Sequence, residues 1–578
     1  MSYPYVKSSA CLICALLLAA CGPEAGPEPT ALPPSSLPWA IATANPLATQ
    51  AGADILADGG SVVDAAITVQ SVLGLVEPQS SGFGGGAFML YYNASTKELI
   101  AYDGREIAPA SATPDMFLNE DGSKMGFYDA VTSGRSVGVP GVVAMLEEAH
   151  EAHGVKAWED LFETAEDLAT AGFPLSPRLH KLLGRFTKFT ENEAARQLYY
   201  DDSGKPFEVG TKVQNPDYAQ TLRRMAEGGA DAFYGGTIAD QIIEAVNAKA
   251  GDGTMTKEDL EDYEPVLRQA VCAPVFEVRI CSMGPPSSGG VTLLQILTMT
   301  STHLEGKAPS SSGWHGYIEA SRLAYADRDL YLGDPDNMGG GNVQAEDIIG
   351  GLLSPEYLQA RAGLIGATAA EDVTAGEPLA TPLKEGRARD TSPDLPGTSH
   401  FSIRDDQGNI VSMTTTVEFV FGSHLMAGGM VLNNQLTDFS FLPEQDGRPA
   451  VNAAAPGKRP RSSMSPVIVF DQEGTPILAI GSPGGPAIIG YVAKTLLAHL
   501  AWGMPLQEAI TLPNLVTAHG KVMIEEGADP HLISDLEDFG HNLTQRDLTS
   551  GLYGFALSET GIESGVDPRR EGSFLKGP

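Results

Sequence analysis

The feature that most constrains this chain is a break in texture at Gly397-Thr398. Residues 366–397 are polar, rich in Pro and Thr and poorly periodic, which reads as an exposed, flexible segment. Directly after it, His400 to Val417 alternates as two strands about a turn at Asp406-Gln407-Gly408-Asn409. A second hairpin is predicted from Pro466 to Ile480 around Gln472-Glu473-Gly474. It runs into Gly481-Ser482-Pro483-Gly484-Gly485-Pro486 and an apolar helix from about Ala487 to Leu500. Any fold must therefore bring a loose upstream stretch to the first residues of a strand-rich half, with helices on the outer faces of its sheets.

Upstream of the break the chain is mostly helical. Asn45 caps a helix with Pro46 at its first position, and Gly59-Gly60 ends it. Ser61 and Asp64 have the spacing of a capping box for a second helix through about Leu75. Residues 80–90 carry Gly84-Gly85-Gly86 and lead into a strand at Phe88–Tyr92; no Lys-Ser/Thr follows, so a phosphate loop is excluded in favour of close backbone packing. From Ala130 to about Ala270 the pattern is helical. Then comes a hairpin holding Cys272 and Cys281, with a two-residue turn at Phe276-Glu277 that sets the cysteines opposite each other. A structural disulfide is expected there, with two free thiols as the alternative; no His or Cys cluster accompanies them to suggest a metal. Pro285 to Gly290 opens a helix at Val291, and another helix is predicted from His315 to Leu332.

The first twenty residues read as a signal. Lys7 precedes an apolar run from Ala10 to Ala20, too short to span a bilayer, ending in the lipobox-like Leu18-Ala19-Ala20-Cys21. Residues 1–20 are thus expected to be removed, with Cys21 lipidated and residues 21–38 forming a Pro-rich tether; a soluble signal with a chance cysteine is the alternative. The expected location is the periplasm, at a membrane only through that anchor. The 73 acidic residues against 37 basic give a net charge of −36, which excludes nucleic acid and other polyanionic partners.

A threonine after a glycine is ordinarily structural. Here it stands in Gly397-Thr398-Ser399-His400, followed by Asn433-Asn434-Gln435-Leu436-Thr437-Asp438-Phe439-Ser440, then the run from Lys458 to Pro466, and Gly481 to Gly485. Glu77 to Gly82, Asp103-Gly104-Arg105-Glu106, Pro285 to Gly290 and Asp567-Pro568-Arg569-Arg570 complete an ordered set. Over about residues 40–578 this resembles the γ-glutamyltranspeptidase family of N-terminal nucleophile hydrolases. The resemblance implies an α+β, four-layer αββα sandwich. It also implies a precursor that cuts itself between Gly397 and Thr398 into a large subunit (39–397 in its folded part) and a small one (398–578), which stay together as a heterodimer.

The same resemblance assigns roles. Thr398 is the nucleophile, and its own freed α-amine, with a pKa of about 8, is the base. Thr416 supplies a hydroxyl that bonds the nucleophile, and the N–H groups of Gly484 and Gly485 form the oxyanion hole. Arg105, Ser462 and Ser463 bind the donor's α-carboxylate; Gln435 and Asp438 accept from its α-ammonium group. Two departures bear on the acyl group: Glu418 stands where many members have asparagine, and the segment from Ser440 to Lys458 is short, without the aromatic lid residue of lidded members. The expected reaction is transfer of γ-glutamyl groups from glutathione and similar amides to water or amines, with no metal or organic cofactor. A glutaryl or cephalosporin acylase is the alternative enzyme, and a non-catalytic binding lipoprotein the alternative class; the intact Thr398, Thr416 and Gly484-Gly485 argue against the latter.

Overall fold

A computed structural model describes residues 37–578 apart from 251–254, 307, 340–342, 380–387, 389–396, 519 and 560. The expected signal, Cys21 and nearly all of the tether lie outside the described residues, as does much of the approach to Gly397.

Two antiparallel sheets form the centre. The first has seven strands: β1 (Ala40–Thr43), β2 (Gly86–Asn93), β3 (Glu98–Gly104), β4 (Val266–Gln269), β7 (Gly397–Arg404), β8 (Ile410–Glu418) and β13 (Ser573–Lys576). Their order is β13-β1-β7-β8-β2-β3-β4. The second has six: β5 (Val271–Val275), β6 (Val278–Ser282), β9 (Val467–Phe470), β10 (Pro476–Gly481), β11 (Tyr553–Ser558) and β12 (Gly561–Val566). It runs β12-β11-β10-β9-β6-β5. The sheets face each other where β1, β7 and β8 pack on β10 and β11. Period-two alternation sorts the side chains. Phe88, Leu90 and Tyr92 of β2 point into the core between the sheets, while Ala87, Met89 and Tyr91 point to the helices outside.

Helices cover both outer faces. On the first sheet lie α1 (Pro46–Ala57), α2 (Val62–Val76) and α3 (Val142–His153). On the second lie α4 (Gly289–Ser301), α5 (Ser311–Tyr331) and α6 (Ala487–Leu496). The expected caps are present. The Asn45 side chain accepts from the Leu47 N–H with Pro46 at the first position, and the Ser61–Asp64 box is closed in both directions. Every residue of this mostly apolar helix α2 is buried, Asp64, Thr68, Gln70 and Ser71 included. The result is helix, sheet, sheet, helix.

The hairpin of β5 and β6 pairs Cys272 with Cys281, and a disulfide joins them. Phe276 and Glu277 take φ of 53° and 64°, the two-residue turn whose twist matches its strands. Three expectations need correction. The helical stretch stops short of Ala270, because Val266–Gln269 alternates in exposure and pairs with β3 as an edge strand. The apolar helix ends at Leu496 and continues as one wider π turn, Leu497–Ala501. And Gly397 does not belong to an exposed segment: it is buried, opens β7 and pairs with Glu418.

Candidate active site

β7 and β8 put Thr398 directly opposite Thr416, with the two hydroxyls 3.1 Å apart. The register then shifts. Glu418, not Val417, pairs with Gly397, so two residues of β8 face one of β7 in a bulge. Thr416 spends its one proton: it donates to the Gly397 carbonyl at 2.8 Å and accepts the Glu418 N–H at 2.8 Å. Between the two hydroxyls Thr398 is then the donor, so Thr398 Oγ and the Gly397 carbonyl are held by one side chain. A Cβ on Gly397 would meet the Glu418 and Phe419 main chain at 2.5–2.6 Å, which explains glycine there.

Past the bulge, Glu418 takes φ of 74°, a left-handed conformation that costs a non-glycine residue about 1–2 kcal/mol. It is held by Asn434, whose Nδ2 donates to the Glu418 carboxylate and whose Oδ1 accepts the Phe419 N–H at 2.9 Å. Glu418 lines a cleft with Arg105, Thr398, Thr416, Gln435, Asp438, Ser462, Ser463, Met464, Gly485 and Ile488. Glu418 does not face bulk solvent: its side chain is buried in this cleft. The cleft spans about 310 Å³, part of it open to solvent.

Its charges are paired across the two halves of the chain. Arg105 follows β3 and donates from Nη2 to Asp438 at 2.5 Å and from Nε to the Pro460 carbonyl at 3.0 Å. Gln435 and Asp438 share a short 3-10 turn, and Gln435 Nε2 donates to the same Asp438 oxygen at 2.7 Å. Ser462 and Ser463 are held by the run Pro285 to Gly290: Ser462 N–H donates to Pro286 O at 3.0 Å, and Ser288 N–H to Ser462 O at 2.8 Å. Ser463 Oγ accepts from Arg328 Nη2 at 2.8 Å and keeps its own proton to give. Gly485 lines the cleft where the chain enters α6, at φ of 58°; Gly484, at 138°, sits one residue back against the Tyr491 ring. The cleft thus offers a cation, two carboxylates, hydroxyl donors and a glycine turn at a helix start, all facing one threonine.

Four residues escaped the sequence reading of roles. Asn434 holds Glu418, and Arg328 holds Ser463 and Ser288. Glu106 is wholly buried behind Arg105, whose Nη1 stands 3.7 Å from its carboxylate; neither oxygen accepts a hydrogen bond, and burial pushes its pKa up to about 8. Arg570 donates from Nη1 to the Thr398 carbonyl at 3.0 Å. Three of them sit inside motifs already singled out. Only Arg328, in the middle of α5, had no signal in the text.

Known proteins resemble this chain in sequence and fold. A family model described as gamma-glutamyltranspeptidase matches residues 48–576. The glutathione hydrolase proenzyme of Bacillus subtilis (strain 168) is 37% identical over 514 residues, covering 87% of this chain and 84% of the relative. That of Escherichia coli (strain K12) is 33% identical over 546 residues, covering 92% and 90%. Among solved structures, the cephalosporin acylase from Bacillus halodurans superposes with a TM-score of 0.78 at 26% identity, covering 96% of this chain and 99% of that one. The fold that the sequence implied is the fold of these relatives, and the chain belongs to the γ-glutamyltranspeptidase family.

Proposed function

We propose that this protein is a self-cleaving γ-glutamyltransferase and hydrolase in which Thr398 is the nucleophile of both reactions. One observation carries the reading: a single hydroxyl, that of Thr416, touches both Thr398 Oγ and the Gly397 carbonyl at the head of a charged cleft. In maturation, Thr398 Oγ attacks the Gly397 carbonyl carbon while Thr416 steadies the oxygen as it gains charge. The C–N bond breaks, its nitrogen takes the proton, and water hydrolyses the resulting ester. This leaves a Gly397 carboxylate and a free α-amine on Thr398, and the two subunits stay together as a heterodimer.

In turnover, that amine takes the proton from Thr398 Oγ as it attacks the γ-carbonyl of the donor, and returns it to the leaving amine. Water or an amine then releases the acyl group. Arg105, Ser462 and Ser463 suit the α-carboxylate of a glutamyl donor, while Asp438, Glu418 and Gln435 suit its α-ammonium group. The glutathione hydrolase names of the relatives support glutathione and similar γ-glutamyl amides as donors. Gly485, with Gly484 behind it, supplies the oxyanion donors. The acylase alternative draws support from the close fold match to a cephalosporin acylase, but two carboxylates in the cleft disfavour acyl groups that lack an ammonium group. The lipobox-like run from Leu18 to Cys21 supports a periplasmic enzyme anchored on a lipidated Cys21, and mass spectrometry of the mature N-terminus tests that.

The test of the mechanism is Thr398→Ala. It should remain one full-length chain, while the wild type yields a small subunit whose first residue is Thr398 by N-terminal sequencing. Splitting of the alanine variant at the same bond would refute it.

A further inference from the structure

The motif Asp567-Pro568-Arg569-Arg570 ends in two arginines with different surroundings. Arg569 is tied down on all sides. It meets Glu525 at 2.6 and 2.7 Å and Asp567 at 3.1 Å, and donates to the carbonyls of Ile510 and Leu512. Arg570 is not. Its side chain lies by Pro483, next to the glycine turn, and by Gly551. Among the described residues its guanidinium makes one hydrogen bond, from Nη1 to the Thr398 carbonyl at 3.0 Å. Its Nε is shut from solvent without a partner. Desolvating a cation without a carboxylate beside it is costly, so its one direct contact is informative.

We propose that Arg570 is the positioning residue of the mature nucleophile: it pins the Thr398 carbonyl once the chain is split, and its charge keeps the new α-amine unprotonated and able to act as the base. This rests on the reading of Thr398 as an N-terminal nucleophile. The amine and the carbonyl of one residue are joined through a single Cα, so a cation bonded to that carbonyl lies about 4–6 Å from the amine. At that range a like charge disfavours the protonated form.

The other charges around Thr398 are engaged elsewhere. In the cleft, Arg105 is paired with Asp438, and Glu418 takes the Asn434 amide. Behind Arg570, Arg178 is paired with Glu77 at 2.8 Å, and its main-chain N–H donates to Glu571. Asp567 is taken by Arg569, Ser550 and the Leu552 N–H. Glu418 and Asp438 pull the amine pKa upward; Arg105 offsets Asp438, while the neutral Asn434 amide leaves the Glu418 charge for Arg570 to oppose. Arg570 has no carboxylate at ion-pair distance among the described residues, Glu77 and Asp567 attracting it from farther off, and it bonds Thr398 directly.

The experiment uses the purified wild type, Arg570→Gln and Arg570→Lys. N-terminal sequencing comes first: a wild type without a Thr398 N-terminus would defeat the parent reading and this one with it. The wild-type amine is then titrated by its pH-dependent acylation, read at Thr398 by mass spectrometry. kcat/KM for a γ-glutamyl anilide is measured across the acid and neutral range. The wild-type amine should titrate below the ordinary value of about 8. Arg570→Gln should move the acid limb of kcat/KM upward by about one pH unit, a tenfold loss on the acid side, and Arg570→Lys should restore most of it. A wild-type amine at or above the ordinary value, or a glutamine variant with an unmoved limb, overturns the inference. If Arg570→Gln does not split, the wild-type titration and the lysine variant decide it alone.

Discussion

Replacing Thr416 by valine tests whether one hydroxyl holds both partners of the self-cleavage. Valine keeps the shape and removes three contacts: to the Gly397 carbonyl at 2.8 Å, to the Glu418 N–H at 2.8 Å and to Thr398 Oγ at 3.1 Å. The first is the donor to an oxygen that becomes negative, so its loss should slow splitting by about 10²–10³-fold, or about 3–4 kcal/mol. The second leaves a buried N–H without a partner, a stability cost of about 1–3 kcal/mol. The two effects separate in one experiment. Freshly purified precursor is followed by denaturing gel over time, with the new terminus checked by mass spectrometry, while its melting temperature is measured alongside. Thr416→Ser, which keeps the hydroxyl, should split within about tenfold of wild type. A valine variant that melts somewhat lower yet splits at the wild-type rate would refute the role of Thr416.

Three further outcomes are expected. Gly397→Ala should split at least about tenfold more slowly, because its Cβ would press on the Glu418 and Phe419 main chain at 2.5–2.6 Å, which cannot swing aside; an unchanged rate on the same gel would count against the packing argument. Matched γ-glutamyl and glutaryl anilides should differ by at least about tenfold in kcat/KM, about 1.4 kcal/mol, in favour of the donor with the ammonium group. Glu418→Gln should narrow that gap, and a wild type that prefers the glutaryl substrate would promote the acylase. For Glu106, with a folded pKa of about 8 against an ordinary 4.5, the unfolded chain loses its proton first, so this group erodes stability as pH rises from about 4.5 to about 8. Glu106→Gln should flatten the melting temperature over that window, and an unaltered slope would show that Glu106 is not the source.

Much of this was legible from the chain because the signals were local. Asn45 with Pro46, and Ser61 with Asp64, act within one turn, so spacing alone reveals them. The Cys272–Cys281 bridge followed from a two-residue turn and the pleat of two strands. The cleft residues were reached through ordered motifs, and they do assemble: Arg105, 333 residues before Asp438, bonds to it directly. What escaped depends on approach in space. Nothing in the spacing of Arg328 shows that α5 aims it at Ser463, and nothing near residue 570 points to Thr398. Val266–Gln269 reads as the tail of a helical region because its strand character comes from pairing with β3. Gly397 reads as loop because the bulge that lets it pair with Glu418 lies in β8.

The residues around Thr398 break local rules in one direction. Glu418 is a charged side chain in a left-handed conformation, Glu106 a buried carboxylate whose oxygens accept no hydrogen bond, and Arg570 a cation whose guanidinium hydrogen-bonds only a carbonyl among the described residues. Each costs stability, and such costs gather where structure serves chemistry. They also explain how one site can run two reactions. The precursor needs the Gly397 carbonyl and Thr398 Oγ held together, and Thr416 does so from within the sheet. The mature enzyme needs the residue that has become a chain end to stay in place. A residue that becomes a chain end loses its covalent tether on one side, so a hold on its carbonyl, where Arg570 stands, matters more after cleavage than before it. Maturation should therefore depend chiefly on Thr416 and Gly397, and turnover on Arg570 and the charges of the cleft, so that variants of the two groups fall into separate classes when splitting and kcat/KM are measured on the same protein.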